Sequence, residues 1–346
     1  MGKLRFLLII TLLFQLLAGC EEKSSTLVEE TYEIIDPEDP LQKGDRLFGI
    51  NISESTQGFD ASFQKALNVG IQMQELNLPW TEIETSQGNY TDPYGGVLAA
   101  TSYYGERNID IGLSLAVINT VQWEVPAYLD PAACNSQEFI SAFVQMADWV
   151  LNTISDHVTV SYLSIGNEVD LVLESSSEWL KYTEFYRIAA DSLRNKYPAM
   201  QIGVKTTVMH GLLGSDSTHI QDINQYSDAV MLNYYPQNER AEVLDPQIVE
   251  THFSAITNMF AGQQIWFTEL GYQSGENYCN SSETKQARFY HHLFSAWDDN
   301  ADQIPYILVN WLHDQSPQVI EEWKGYYGDD PALVEYLSTL GLRNYD

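Results

Sequence analysis

The chain has 346 residues, of which 44% are apolar and 12% aromatic, enough to bury one barrel-sized core or two smaller ones. Its 48 acidic and 17 basic residues give a formal net charge of −31, which excludes the basic face that phosphate binding requires and with it a nucleic-acid partner. Negative charge on this scale serves solubility and colloidal stability.

In chain order, the first element reads as a leader. Lys3 and Arg5 precede an apolar run from Phe6 to Leu17, shorter than the ~20 residues of a membrane-spanning helix, and Ala18 and Gly19 lead into Cys20. A secretory signal over residues 1–19 is expected. The segment "LAGC" resembles the lipobox of bacterial lipoproteins. That resemblance implies cleavage before Cys20, a lipid on its sulfur, and an exported protein anchored to the cell envelope, at the outer membrane on its periplasmic or surface face, with no other membrane contact. Residues 20–45 are acidic, contain Pro37 and Pro40 and show no sustained periodicity, so they read as a flexible tether. Glu21 and Glu22 loosely resemble the acidic export signal of surface lipoproteins in Bacteroidetes. The two remaining cysteines, Cys134 and Cys279, form one bridge or stay as two thiols; the sequence leaves both open. Neither has a Cys or His at ligand spacing, so no metal site and no cofactor is expected.

From residue 46 onward, apolar runs rich in β-branched residues alternate with helical stretches. The runs are 47–53, 70–76, 109–118, 158–168, 201–208, 228–236, 264–272 and 306–314. Between them lie segments with apolar residues at helical spacing, including "EFISAFVQMADWVLNTI", "EWLKYTEFYRIAADSLRNKY" and "TKQARFYHHLFSAWDD". The serines at 175–177 supply N-caps for the second. Eight strands alternating with helices predict an α/β fold, a (β/α)8 barrel forming a single domain over residues 46–346. The alternative, a doubly wound open sheet, lacks a Gly-rich phosphate loop after the first strand. In such a barrel the C-terminal ends of the strands face the pocket, and polar groups there are candidates for chemistry.

Two of those ends carry carboxylates that a buried strand gives no other reason to hold. "SIGNEVD" places Asn167 and Glu168 at the end of the fourth run, and "FTELGY" places Glu269 at the end of the seventh. Two carboxyl groups facing across a sugar-sized gap can cleave a glycosidic bond, one protonating the leaving oxygen and the other attacking the anomeric carbon. Their mutual repulsion would keep one of them protonated near neutrality. "GNE" closing strand four together with a glutamate closing strand seven resembles clan A of the glycoside hydrolases, retaining enzymes on a (β/α)8 barrel. The resemblance implies Glu168 as general acid/base, Glu269 as nucleophile and Asn167 as a contact to the sugar 2-hydroxyl.

The same resemblance reaches further residues. "LPWTEIETSQGNY" would put Trp80 near the site, and Trp311 closing strand eight would be a platform under the sugar, whose C–H bonds pack on aromatic rings. Tyr234 and Tyr235 close strand six, where clan relatives use a tyrosine to orient the nucleophile; alternation lets only one face inward. "VMLNYYP" and "GINIS" also resemble family 53 endo-β-1,4-galactanases, which makes β-1,4-galactan or a related hemicellulose one substrate in view. After strand three, where many clan members carry a histidine or an acid, this chain has "AVINTVQWEVP", leaving Asn119 and Trp123 as sugar contacts. His210 and His313 are placed on the pocket side, each equally readable as a structural or surface histidine. No nucleophile elbow is present, and His291 and His292 are adjacent on a helix and so face apart. The function expected is a retaining glycoside hydrolase, monomeric, acting on a β-linked carbohydrate. A non-catalytic glycan-binding protein on a retired barrel, or a transglycosylase using the same residues, are the alternatives.

Overall fold

The computed structural model describes residues 42–346. The expected signal segment, the lipidation candidate Cys20 and all but the last four residues of the tether lie outside the described residues.

Eight parallel strands form the centre: β1 (Leu47–Ile50), β2 (Met73–Pro79), β3 (Asp110–Asn119), β4 (Val160–Asn167), β5, β6 (Val230–Tyr234), β7 (Ile265–Leu270) and β8 (Tyr306–Val309). β5 consists of two short pieces, Gln201–Gly203 pairing with β4 and Lys205–Thr207 pairing with β6. β8 pairs with β1, so the ring closes as the (β/α)8 barrel the alternation predicts. Apart from single turns at Trp80–Ile83 and Ser102–Gly105, the α-helices are α1 (Phe59–Asn68), α2 (Gln137–Thr153), α3 (Ser176–Lys196), α4 (Ser217–Ile223), α5 (Ile248–Met259), α6 (Glu283–Asp299), α7 (Pro317–Tyr327) and α8 (Pro331–Ser338). Ser175 caps α3 in a full capping box with Glu178, the outcome its serine cluster foretells.

The barrel interior explains where polarity can appear. Its lower part is an apolar plug made by Met73, Tyr162, Met231, Trp266, Tyr306 and Leu308. Gly112 makes the plug possible, because a Cβ there would lie 2.1 Å from the Tyr162 ring. Side chains on one face of a strand recur every second residue. Two positions further up, that same face changes from apolar to polar: Glu75 follows Met73, Asn233 follows Met231, Thr268 follows Trp266 and Asn310 follows Leu308. The opposite face of each strand packs on the helices in one continuous core.

Candidate active site

Irregular backbone at the strand ends aims the two carboxylates. Glu168 adopts a left-handed conformation, φ 53° and ψ 47°, which costs a non-glycine residue roughly 1–2 kcal/mol and turns its side chain off the strand direction. On the facing side, the β6–β7 register slips between Leu232 and Asn233, so Leu232 sits opposite Phe267 but Asn233 opposite Glu269. A slip of this kind re-aims side chains beside functional sites. Both glutamates line one cleft of about 1540 Å³ at the C-terminal mouth of the barrel.

Their surroundings differ. Glu168 is buried, and Asn233 Nδ2 donates to its Oε1 at 3.1 Å and to Asn167 Oδ1 at 3.2 Å. Burial first, and the negative charge of Glu269 second, push the Glu168 carboxyl up to about 7. Three donors converge on Glu269: Lys205 Nζ at 3.1 Å on Oε1, with Tyr235 OH and Asn310 Nδ2, each at 3.0 Å, on Oε2. Asn51 Nδ2 in turn fixes Asn310 by donating to its Oδ1 at 2.6 Å. Lys205 is wholly buried and also ion-paired with Glu75, whose other oxygen accepts from Tyr162 OH. Burial alone would pull the Lys205 ammonium down, but Glu75 and Glu269 outweigh it and hold it above its ordinary value. Asp170, itself pushed up to about 6 by burial, accepts from the Thr207 backbone N–H at 2.8 Å and so joins the end of β4 to β5. The result is one carboxyl that holds its proton up to about pH 7 and one gripped as an acceptor, the division of labour that an acid and a nucleophile require.

The structure brings Asn167, Glu168, Glu269, Tyr235, Trp311 and His210 to this cleft. Asn119 stands just behind it, accepting from Asn167 Nδ2 at 3.1 Å and from Asn77 Nδ2 at 3.0 Å. Of the two tyrosines, Tyr235 faces inward; Tyr234 is buried on the helix side with its OH 2.9 Å from His252 Nδ1, which corrects it as a sugar contact. Trp80 is also corrected: it is fully buried edge-on to Phe139 and Phe143 and donates to Glu84 at 2.8 Å. Trp123 packs its ring on Tyr182 instead of lining the cleft. His313 is buried with Nδ1 3.2 Å from Ser53 O, so it too leaves the pocket side. Cys134 and Cys279 are both buried free thiols.

Lys205, Glu75, Asn233, Asn310 and Asn51 were not singled out from sequence. The signal for the first two was present: "VKTT" and "MQEL" each put one charge inside an apolar strand, the same anomaly that marks Glu168. Among the described residues, no group of three or more His, Cys, Asp or Glu is arranged to hold a metal ion.

Fold and strand-end chemistry together define an α/β barrel with a paired-carboxylate cleft. No protein-family model matches the chain, and no curated protein matches it in sequence. Solved structures do match. A glycoside hydrolase of family 5 subfamily 18 from Streptomyces cattleya, in complex with GlcNAc, is 13% identical, with a TM-score of 0.67 over 87% of this chain and 76% of its own. An exo-β-1,4-mannosidase from Opitutaceae bacterium strain TAV5 is 14% identical, with a TM-score of 0.62 over 86% of this chain and 56% of its own. A family 39 glycoside hydrolase from Bacteroides cellulosilyticus WH2 is 13% identical, with a TM-score of 0.59 over 89% of this chain and 62% of its own. At these identities the likeness is one of fold: the chain has the (β/α)8 barrel of these glycoside hydrolases.

Proposed function

We propose that this protein is a retaining glycoside hydrolase acting on a β-linked, largely neutral oligosaccharide or polysaccharide. The observation that carries the proposal is the unequal pair at the barrel mouth, Glu168 pushed up to about 7 beside a Glu269 held by Lys205, Tyr235 and Asn310. Glu269 attacks the anomeric carbon while the Glu168 carboxyl gives its proton to the leaving oxygen. Water, deprotonated by Glu168, then releases the sugar from Glu269. Asn167, fixed by Asn233 and Asn119, is oriented toward the 2-hydroxyl, and Trp311 underlies the ring. The mannosidase among the structures of like fold favours manno-configured sugars first, and the galactanase resemblance of strand six keeps β-1,4-galactan on the test panel.

The test is covalent trapping. Incubation with 2-deoxy-2-fluoro-β-glycosides of manno, gluco and galacto configuration, bearing a dinitrophenolate leaving group, should inactivate the enzyme and add one fluorosugar to the peptide containing Glu269. Label on a different residue, or turnover with inversion at the anomeric carbon, would refute the mechanism. We also propose that the mature chain begins at a lipid-bearing Cys20, on the strength of "LAGC". Mass spectrometry of the N-terminal peptide from cell membranes checks this, and an unmodified Cys20 in the mature protein would overturn it.

A further inference from the structure

After β8 the chain does not simply fold back onto the barrel wall. Ser316 caps α7, and Trp323 on that helix lies 5.2 Å from Trp311. At the far end of α7, Tyr326 OH donates to Asn119 O at 2.6 Å and lies 3.3 Å from Glu124 Oε1. Asn119 ends β3, and in the ring β1 and β2 stand between β8 and β3. The helix, about 16 Å long at 1.5 Å per residue, therefore crosses that sector of the mouth.

Gly328, with φ 100°, then turns the chain into α8, which returns toward β7. There Glu335 accepts from the backbone N–H groups of Asn277 and Cys279 at 3.0 and 2.8 Å. Leu342 N donates to Trp311 O at 2.8 Å and closes the base. The α7–α8 hairpin is thus tied down at three places around the rim, and Val319, Trp323, Tyr327 and Tyr336 present its inner face to the cleft. On the β4–β6 side the rim is different: Leu171, His210, Asn238 and Arg240 line the cleft and are exposed.

The two sides have different roles if the carboxylates act as proposed above, and this inference rests on that reading. Glu168, on β4, must reach the leaving oxygen, so the leaving portion of the substrate extends over the open β4–β6 side. The sugar bonded at its anomeric carbon lies between Glu269 and Trp311, under the hairpin. Over this sector α7 stands in the path of a polysaccharide lying across the mouth, and beneath it the cleft runs on only past Ser53, Phe59 and Tyr104. We propose that the enzyme acts on chain ends, admitting the non-reducing end beneath the α7–α8 hairpin and releasing short products of fixed length.

The experiment uses hexasaccharides of β-1,4-mannan, β-1,4-glucan, β-1,3-glucan and β-1,4-galactan, each labelled at its reducing end with 2-aminobenzamide, beside the corresponding 4-nitrophenyl β-glycosides. Labelled products are followed from the earliest conversion. Chain-end action gives one labelled product first, shortened by a fixed step, followed by the next shorter one in turn. Several labelled lengths appearing together from the start would overturn the inference while leaving the hydrolase intact. Hexasaccharides left whole while an aryl glycoside is cleaved would also overturn it, since the open side has room for a long leaving portion. No cleavage of any compound would instead count against the hydrolase reading itself, and the inference would fall with it.

Discussion

Lys205→Met is the most discriminating perturbation of the site. The side chain is wholly buried, ion-paired with Glu75 and 3.1 Å from Glu269 Oε1. Methionine keeps the bulk of the stem and removes the charge, leaving two carboxylates with no cation between them. Breaking a buried ion pair from one side costs about 3–5 kcal/mol. For a domain of this size, at about 2.1 cal/mol/K of unfolding entropy per residue, that is roughly 5–8 °C in Tm. Loss of one charge-assisted hydrogen bond to Glu269, the proposed nucleophile, costs about 1.5–3 kcal/mol, or about 10- to 150-fold in kcat/KM.

The stability deficit has a pH signature. Glu75 is pushed up by burial, an effect Lys205 opposes and Glu269 adds to, so without Lys205 it rises further. An acid whose folded pKa lies above its unfolded value destabilises the fold where it is ionised, and the penalty fades as pH falls below both values. The deficit of Lys205→Met should therefore be larger at pH 7 than at pH 5. Thermal unfolding at the two pH values, with kcat/KM on an aryl β-glycoside, measures both effects. Lys205→Met combined with Glu75→Leu should recover most of the stability without the activity, because Glu269 still lacks its donor. Wild-type Tm and kcat/KM in the single variant, or restored activity in the double one, would refute the assignment of Lys205 as a positioning residue.

Glu168 must be protonated to act as the acid and sits at about 7, so kcat/KM should fall as pH rises through about 7, and Glu168→Gln should lose that limb along with most of its activity on natural glycans. Because the carboxyl is raised, ionising it costs stability that is fully felt above about pH 7; Glu168→Gln should be the more stable protein at pH 8 by something on the order of 1–3 kcal/mol, measured by denaturant unfolding. The tyrosine pair separates chemistry from packing. Tyr235→Phe removes a donor to Glu269 and should lower kcat/KM about tenfold or more, whereas Tyr234→Phe loses only the contact to His252 and should cost about 1 kcal/mol of stability with turnover near wild type.

The barrel and the two glutamates were legible because each leaves a local mark. Strand runs of seven to eleven residues separated by amphipathic segments admit few topologies, and a carboxylate ending an apolar strand has no packing reason to be there. Among the aromatic assignments Trp311 and Tyr235 reach the cleft, whereas Trp80, Trp123 and Tyr234 do not, for a different reason. Trp80 follows β2 directly, and sequence places it near the cleft, yet its ring turns onto Phe139 and Phe143 of α2. Which face an aromatic residue takes at a strand end depends on the turn geometry that follows, and that is not written in local spacing. Tyr326 illustrates the harder case. Its partner, the Asn119 carbonyl, is 207 residues away, and only the closed ring brings the two together.

The charges at the site balance in a way that suits two successive steps. Lys205 offsets Glu75, and Glu168 keeps its proton, which leaves Glu269 as the one uncompensated negative charge of the four groups. Part of what raises the Glu168 carboxyl is that charge. In the proposed reaction Glu269 spends its charge when it bonds to the sugar, so the repulsion on Glu168 disappears at that moment. The carboxyl, having just given up its proton, then meets a weaker drive to take one back. It can remain ionised long enough to draw a proton from the incoming water. Burial, the larger cause of the raised value, persists through both steps and keeps the change from overshooting. The coupling between the two glutamates therefore lets one side chain serve as acid in the first step and base in the second without moving.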